Sequence, residues 1–141
     1  MKVAIMLVIA ILFHFNLLAQ KATEDNILGC WKVKSVEFTK SSPESDEMAN
    51  GAKGMITCFE KKGKFTTKLR ENNKDIIIGT GTFKIDSDGK TIHQKRDVDD
   101  GDIDALGEII KFNDREFSIK VEDVILHFER LTEKYFKTGG Q

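Results

Sequence analysis

The sequence predicts an all-β fold, an eight-stranded antiparallel up-and-down barrel. Its apolar residues recur mainly at every second position, and Gly, Asn and Asp bound the apolar segments, as in strands joined by hairpins. No long amphipathic helical pattern interrupts the series. Eight such strands can close on themselves and leave no exposed edge. A two-sheet sandwich is the alternative, but sandwiches favour long crossover connections, for which only 40–54 and 98–104 are candidates.

The predicted strands follow one another in chain order. They span 29–39, 55–60, 64–70, 76–85, 90–96, 105–112, 116–121 and 124–131. Gly63 suits the left-handed position of a three-residue hairpin, and Gly79 and Gly81 indicate a bulge or a tight bend. The polar segment 40–54 contains the only proline, Pro43, and predicts a long loop.

The N-terminus has the layout of a secretory signal peptide. One positive charge at Lys2 precedes an apolar run over 3–18, and a polar run follows at 21–26. We expect cleavage near Ala19 or Gln20, which makes 1–19 the signal peptide, 20–28 an N-terminal linker, 29–131 the barrel and 132–141 a tail. A retained membrane anchor is the alternative, but the run is slightly short, since a span needs roughly 20 apolar residues.

The mature chain is long enough for one domain with one core. Removal of Lys2 changes the formal net charge from −1 to about −2, and charges of both signs are interspersed. This pattern argues against nucleic-acid binding, which needs a basic face. We expect an exported protein, periplasmic or secreted, with no membrane insertion after signal cleavage and no cofactor.

Residues 27–30 also look like a bacterial lipobox, in which Cys30 would carry a lipid. A lipobox cysteine directly follows the apolar signal region, whereas Lys21, Glu24 and Asp25 intervene here. We therefore expect Cys30 to stay within the chain. Gly29 and Trp31, on either side of it, then begin the first strand.

The mature chain resembles bacterial lipocalin-like domain proteins of the calycin group. The likeness rests on ILGCWKV (27–33), FEKKGKF (59–65), GTFKI (81–85) and FERL (128–131). It implies a barrel whose closed end is plugged by Gly29, Trp31 and Arg130, with the arginine packed over the indole ring. It also implies the carriage of small hydrophobic molecules. The Thr-Asp motif of classical lipocalins has no match around 105–116.

Strand alternation selects a set of inward-facing side chains as the candidate cavity lining. The set is Val33, Thr57, Phe59, Phe65, Thr67, Leu69, Phe83, Leu126 and Phe128. A concave apolar site with a few polar groups suits a small hydrophobic ligand. The alternative is an ordinary packed core, which a domain of this size needs for stability.

Two further groups have alternative interpretations. Cys30 and Cys58 face outward on neighbouring strands and form either a disulfide or two free thiols. Segment 97–104 holds five aspartates in eight residues and could bind calcium, but its spacing fails the EF-hand pattern at Gly101. A solvated acidic loop is the simpler interpretation, so we predict no metal site.

Enzyme signals are absent from the sequence. His93 and His127 stand alone on strands, and no serine elbow, metal-ligand spacing or phosphate loop occurs. We therefore predict a noncatalytic barrel that binds a small hydrophobic molecule, with 40–54 as a lid opposite the plug. The alternative is a filled-core barrel that contacts another envelope or secreted protein as an interaction or structural module.

Overall fold

The structure, a computed structural model, describes residues 20–98 and 101–132. The predicted signal peptide, all but the first residue of the predicted tail, and two residues of the acidic segment lie outside the described residues.

Eight antiparallel strands form one closed barrel, in which each strand pairs with its neighbours in sequence and β1 pairs with β8. The elements are Gly29–Phe38 (β1), Pro43–Ala52 (α1), Ile56–Glu60 (β2), Lys64–Glu71 (β3), Lys74–Ile85 (β4), Thr91–Val98 (β5), Gly101–Phe112 (β6), Glu116–Val121 (β7) and Val124–Arg130 (β8). Closure places Trp31 opposite Arg130. The predicted all-β fold class and the up-and-down barrel are confirmed, and the sandwich is excluded.

Local backbone features explain how the hairpins turn. Gly63 has the expected positive φ of 67°, and it is preceded by Lys62 at the same φ. Asn72 and Asn73 connect β3 to β4 with φ of 51° and 63°, as a two-residue turn of the primed type requires. Pairing along β4 skips one residue beside Gly79, so the strand contains the bulge that the glycines indicate.

Segment 40–54 is not the long loop that the sequence predicts, because most of it forms α1. Ser42 is the N-cap and exchanges hydrogen bonds with Ser45 in a capping box, and Pro43 stands at the first helical position. Acidic residues in the first turn add favourable charge at the helix N-terminus. The helix contacts β1. Among the described residues, no helix is long and apolar enough to span a membrane.

The described residues of the acidic segment, 97–98 and 101–104, are likewise paired strand where the sequence predicts a loop. β5 continues to Val98, and β6 begins at Gly101, with Asp97 opposite Asp102 in the hairpin. The exposed position of Asp97 and Asp104 lets the backbone pair without burial of these carboxylates. The described residues contain no group of three or more side chains that could hold a metal ion.

Residues 20–28, the predicted N-terminal linker, are packed on the barrel. Ala22 and Ile27 are 2% and 0% exposed and join the core cluster. Thr23 and Asn26 form a turn in which each backbone N–H donates to the other's side-chain oxygen. The Ile85 N–H also donates to Glu24. The segment therefore forms part of the closed end of the barrel.

Candidate ligand-binding site

The closed half of the barrel is filled by aromatic rings. Phe117 is fully buried, and its ring centroid lies 4.6 Å from that of Phe128, in a stacked pair, and 4.8 Å from that of Trp31, edge to face. Phe59 packs on Phe83 with centroids 4.8 Å apart. Such aromatic pairs add stability beyond their buried area. This half matches the packed-core interpretation.

Trp31 and Arg130 plug the closed end, as the resemblance implies. The Arg130 guanidinium carbon lies 4.1 Å from the centroid of the Trp31 ring, within cation–π range. The Trp31 indole N–H donates to the Ile27 carbonyl oxygen at 2.8 Å. Gly29 has a φ of +120°, and a Cβ there would lie 2.9 Å from Arg130 Nη1. Glycine is therefore required for both the backbone conformation and the close approach.

Arg130 is held by three backbone carbonyl oxygens. Nη1 donates to Leu28 at 2.6 Å, Nη2 to Asn26 at 2.8 Å and Nε to Asp114 at 2.7 Å. Burial lowers the pKa of the Arg130 guanidinium, and the nearby Asp114 carboxylate opposes this shift. The group remains charged, because an arginine loses its proton only at extreme pH. All of its contacts are structural, and none of the plug residues lines the cavity described below.

A disulfide joins Cys30 to Cys58 across the paired strands β1 and β2. The two residues are directly opposite in register, with their Cα atoms 3.9 Å apart. Of the two interpretations left open by the sequence, the structure has the bonded one. The bond leaves neither thiol free in the described residues. It also fixes the strand that begins at the plug.

The open half of the barrel holds a cavity of about 290 Å³. Its lining is mostly apolar, with a few polar side chains. The lining residues are Met55, Thr57, Phe59, Phe65, Thr67, Ile78, Gln94, Arg96, Ala105, Ile119, Val121, Leu126 and Phe128. The structure thus brings together six of the nine side chains that alternation selects.

The other three predicted lining residues lie elsewhere. Val33 and Phe83 belong to the packed core around the aromatic cluster, at 1% and 6% exposure. Leu69 is half-buried near the end of β3, where its partner Ile76 is exposed. Alternation assigns these side chains a face of the strand correctly. It does not say whether that face borders empty space, packed rings or solvent.

Polar groups stand at intervals along the cavity wall. The hydroxyls of Thr57 and Thr67 are 3.3 Å apart on paired strands. Gln94 and Arg96 continue the inward face of β5 beyond the buried Ile92. The sequence analysis missed both, because His93-Gln94-Lys95-Arg96 is polar throughout. Extension of the period of two from Ile92 would have placed them inside.

The helix α1 does not cover the cavity as the predicted lid. It connects the end of β1 to the start of β2 and packs on β1. None of its residues lines the cavity, and only Met55, in the connection to β2, does so. The cavity therefore reaches solvent at its mouth, where Arg96 is exposed.

A hydrogen-bonded line of Ser118, His127 and Glu37 lies on the outer face of the barrel. Ser118 Oγ is 2.7 Å from His127 Nδ1, and His127 Nε2 is 3.1 Å from Glu37 Oε2. A serine, a histidine and an acid in a hydrogen-bonded line also occur in acyl-transfer enzymes. Such enzymes need, in addition, hydrogen-bond donors that stabilise an oxyanion, commonly backbone N–H groups. Ser118 is 4% exposed in the middle of a strand that is paired on both sides, which commits the neighbouring N–H groups to the sheet. The line connects β7, β8 and β1 through side-chain hydrogen bonds.

His93, the other histidine of the barrel, is also paired. Its Nε2 lies 3.1 Å from Asp86 Oδ1, and both side chains are about half exposed. The pair stands on the outer surface near the closed end, away from the cavity. Neither cysteine offers a thiol that a histidine could activate, because Cys30 and Cys58 are bonded to each other.

Solved structures from Bacteroides share this architecture. A lipocalin-like protein from Bacteroides uniformis ATCC 8492 matches with a TM-score of 0.57 and 9% identity, over 75% of this chain and 99% of that one. The chain has a lipocalin-like fold. An uncharacterized protein from Bacteroides eggerthii DSM 20697 matches with a TM-score of 0.57 and 10% identity, over 74% of this chain and 99% of that one. No family model and no curated protein matches the sequence.

Proposed function

We propose that this protein is an exported, noncatalytic barrel that binds a small hydrophobic molecule in its open half. The observation that supports the proposal is the cavity of about 290 Å³ in the open half of the barrel. The closed half next to it is filled by packed aromatic side chains. Ligand pockets typically measure about 300–1,000 Å³ and combine apolar walls with a few polar groups. The cavity volume lies just below that range, so the cavity suits a small molecule or part of a longer one.

Export is supported by two independent features. The N-terminal 19 residues have the layout of a signal peptide. The Cys30–Cys58 disulfide is of a kind that persists in oxidising compartments such as the periplasm or the exterior of the cell. Export and a binding cavity together suit a protein that meets its ligand outside the cytoplasm.

A matched pair of tryptophan substitutions on β6 tests the binding site. Ala105 lines the cavity, whereas its neighbour Leu106 points outward and is 60% exposed. We expect the neutral fluorescent probe N-phenyl-1-naphthylamine to bind the wild type and the Leu106→Trp variant. Ala105→Trp should obstruct the cavity and weaken binding by about tenfold or more, equivalent to about 1.4 kcal/mol. Far-UV circular dichroism should show the same fold for all three proteins.

Two results would contradict this proposal. Probe binding that is unchanged in Ala105→Trp would place the site outside the barrel. An absence of binding to the wild type would favour the second candidate, an interaction or structural module of the cell envelope. The observation that supports the second candidate is the outer face of β6, where Leu106 and Ile110 are 60% and 46% exposed. Exposed apolar surface of this kind is typical of protein contacts when it forms a contiguous patch.

A further inference from the structure

We propose that the ligand of the open half is an apolar molecule with a single anionic end group, which Arg96 binds at the mouth of the cavity. This inference rests on the proposed binding function and specifies the class of ligand. It depends on the charge of the lining, on the position of Arg96 and on the exposure of the polar groups along the wall.

The described lining of the cavity carries positive charge and no negative charge. Among the described residues that line the cavity, Arg96 carries the only charged side chain, and none is an Asp or a Glu. A guanidinium stays protonated at every physiological pH and presents five N–H donors in a planar fork. A neutral ligand can accept at most an ordinary hydrogen bond from this group, whereas a carboxylate or phosphate end group can accept two parallel, charge-assisted hydrogen bonds from it.

Strand β4 holds the guanidinium of Arg96 against the cavity wall. The bulge in β4 lies beside Gly79, and Arg96 Nη2 donates to the carbonyl oxygen of Ile78, at that bulge. A Cβ on Gly79 would lie 2.6 Å from Arg96 Nε, so only glycine leaves room for the guanidinium against this strand. One N–H group thus anchors the side chain at the cavity wall. The remaining donors suit an anion at the mouth.

The polar side chains of the lining differ in how exposed they are. Arg96 is exposed, and Gln94, two residues along the same face of β5, is half-buried. Thr57 and Thr67 form a hydroxyl pair and are more buried than Arg96, and Phe59 and Phe65 are 3% and 6% exposed. Arg96 is thus the most exposed polar group of a mostly apolar wall. A molecule with one anionic end at the mouth and an apolar body in the cavity matches this lining.

The test compares two probes with the same alkyl chain, decanoate and decanol. Isothermal titration calorimetry on the mature full chain measures both dissociation constants at neutral pH and low salt. We expect the wild type to bind decanoate about tenfold more tightly than decanol, because a charge-assisted bidentate contact forms only with the carboxylate. Added salt should reduce this preference, since the mouth is open to solvent.

Variants at Arg96 assign the preference to this side chain. Arg96→Gln should abolish the preference for decanoate and leave the affinity for decanol unchanged. Arg96→Lys keeps the charge but loses the fork, and it should retain part of the preference. Lys84→Gln is the matched control, because Lys84 is an exposed cation on the outer face of β4 and does not line the cavity. It should bind both probes like the wild type.

The outcomes separate this inference from the proposed function. Equal affinities of the wild type for decanoate and decanol, or a preference that persists in Arg96→Gln, would overturn the anionic-ligand inference and leave the binding function intact. A failure of both probes to bind would overturn both. The comparison of probes on the wild type needs no variant, so the inference stays falsifiable even if an Arg96 variant misfolds.

Discussion

Arg130 lies on the ring of Trp31, 4.1 Å from its centroid, and the same guanidinium binds the carbonyl oxygens of Leu28 and Asn26. The two residues belong to the last and the first strand and are directly opposite in register. One side chain therefore ties the N-terminal segment, the barrel seam and the aromatic core together. These contacts hold together the closed end of the barrel, which lies below the open cavity.

Arg130→Lys tests the contribution of this plug. Lysine keeps the charge but cannot stack as a plane or reach three carbonyl oxygens at once. We expect the free energy of unfolding to fall by about 2–3 kcal/mol. Urea denaturation followed by circular dichroism measures it. Arg115→Lys, at an exposed position in the turn before β7, should change it by less than about 0.5 kcal/mol. Similar losses of unfolding free energy in both variants would show that the contacts of Arg130 stabilise the barrel no more than an exposed arginine does.

Removal of the disulfide should destabilise the barrel. The bond closes a loop with a sequence separation of 28 residues. In the chain-entropy model, a loop of this size contributes about 3–4 kcal/mol through the unfolded state. We expect the double variant Cys30→Ala, Cys58→Ala to lose stability by about that amount and to keep the fold. The denatured mass of the untreated wild type should lack two hydrogens relative to the reduced chain, and an unchanged mass would show that the thiols are free.

Two phenylalanines should respond differently to truncation, because one is enclosed by rings and the other borders the cavity. Phe117 packs against Trp31 and Phe128 and is fully buried, so Phe117→Ala should cost about 3–5 kcal/mol. Phe65 faces empty space on one side, so Phe65→Ala should cost about 2 kcal/mol. It should also weaken binding of the neutral probe. Equal costs for both variants would indicate a core that is filled throughout.

A pH-dependent contribution is expected from the ion pairs of the β3–β4 hairpin. Asp75 Oδ1 accepts from Arg70 Nε at 2.8 Å, and Lys68 Nζ lies 3.2 Å from Oδ2. The hydrogen bond from Arg70, followed by that from Lys68 and by the charges of both, lowers the pKa of Asp75, although burial partly opposes the shift. A lowered folded-state pKa gives stability that is complete above the unfolded-state pKa and is lost as pH falls through the folded-state value.

Asp75→Asn should therefore lower the melting temperature at neutral pH and have no effect below the folded-state pKa. The loss should be below about 1 kcal/mol, because the pair is partly exposed. The melting temperatures of the wild type and the variant, measured by thermal unfolding from neutral to acidic pH, give the difference between the two proteins at each pH. Asp104→Asn, an exposed position on β6, is the control. A difference that grows on acidification would contradict the assigned sign.

The strands could be predicted from the sequence because each combines a period of two with a local turn signal. Gly63, Asn72 and Asn73 mark hairpins through left-handed backbone positions that few other residues adopt easily. The closing pair was accessible only through the resemblance, since nothing local joins Trp31 to Arg130, 99 residues later in the chain. Closure depends on strand twist and shear, which single positions do not encode.

The helix α1 was missed because its sequence has no apolar stripe. Its start signal was nevertheless present, since Ser42 is followed by Pro43 at the first helical position and by acidic residues. The acidic hairpin was missed for a similar reason. Asp97 and Asp104 are exposed on its two strands, and such polar residues leave no apolar alternation for the sequence to show.

The cavity itself could be predicted only in part. Alternation identifies inward positions, but the boundary between packed rings and empty space depends on how Phe59, Phe117 and Phe128 stack across the barrel. Arg96 was overlooked because a charged side chain on a strand usually faces solvent. A period of two from the buried Ile92 places Arg96 on the inner face, but the position of its guanidinium against β4 depends on the bulge and on the space left by Gly79, which are tertiary features.

Native mass spectrometry of the mature protein, purified without detergent from an exporting host, tests the central claim most directly. The account predicts a chain that begins near residue 20, contains one disulfide and carries a small molecule that leaves on collisional activation. Incubation of stripped protein with decanoate should restore a bound state. A bare chain that takes up neither decanoate nor a neutral apolar probe would contradict the binding function, and a lipid-modified N-terminus at Cys30 would contradict the assignment of this residue to β1 and the disulfide.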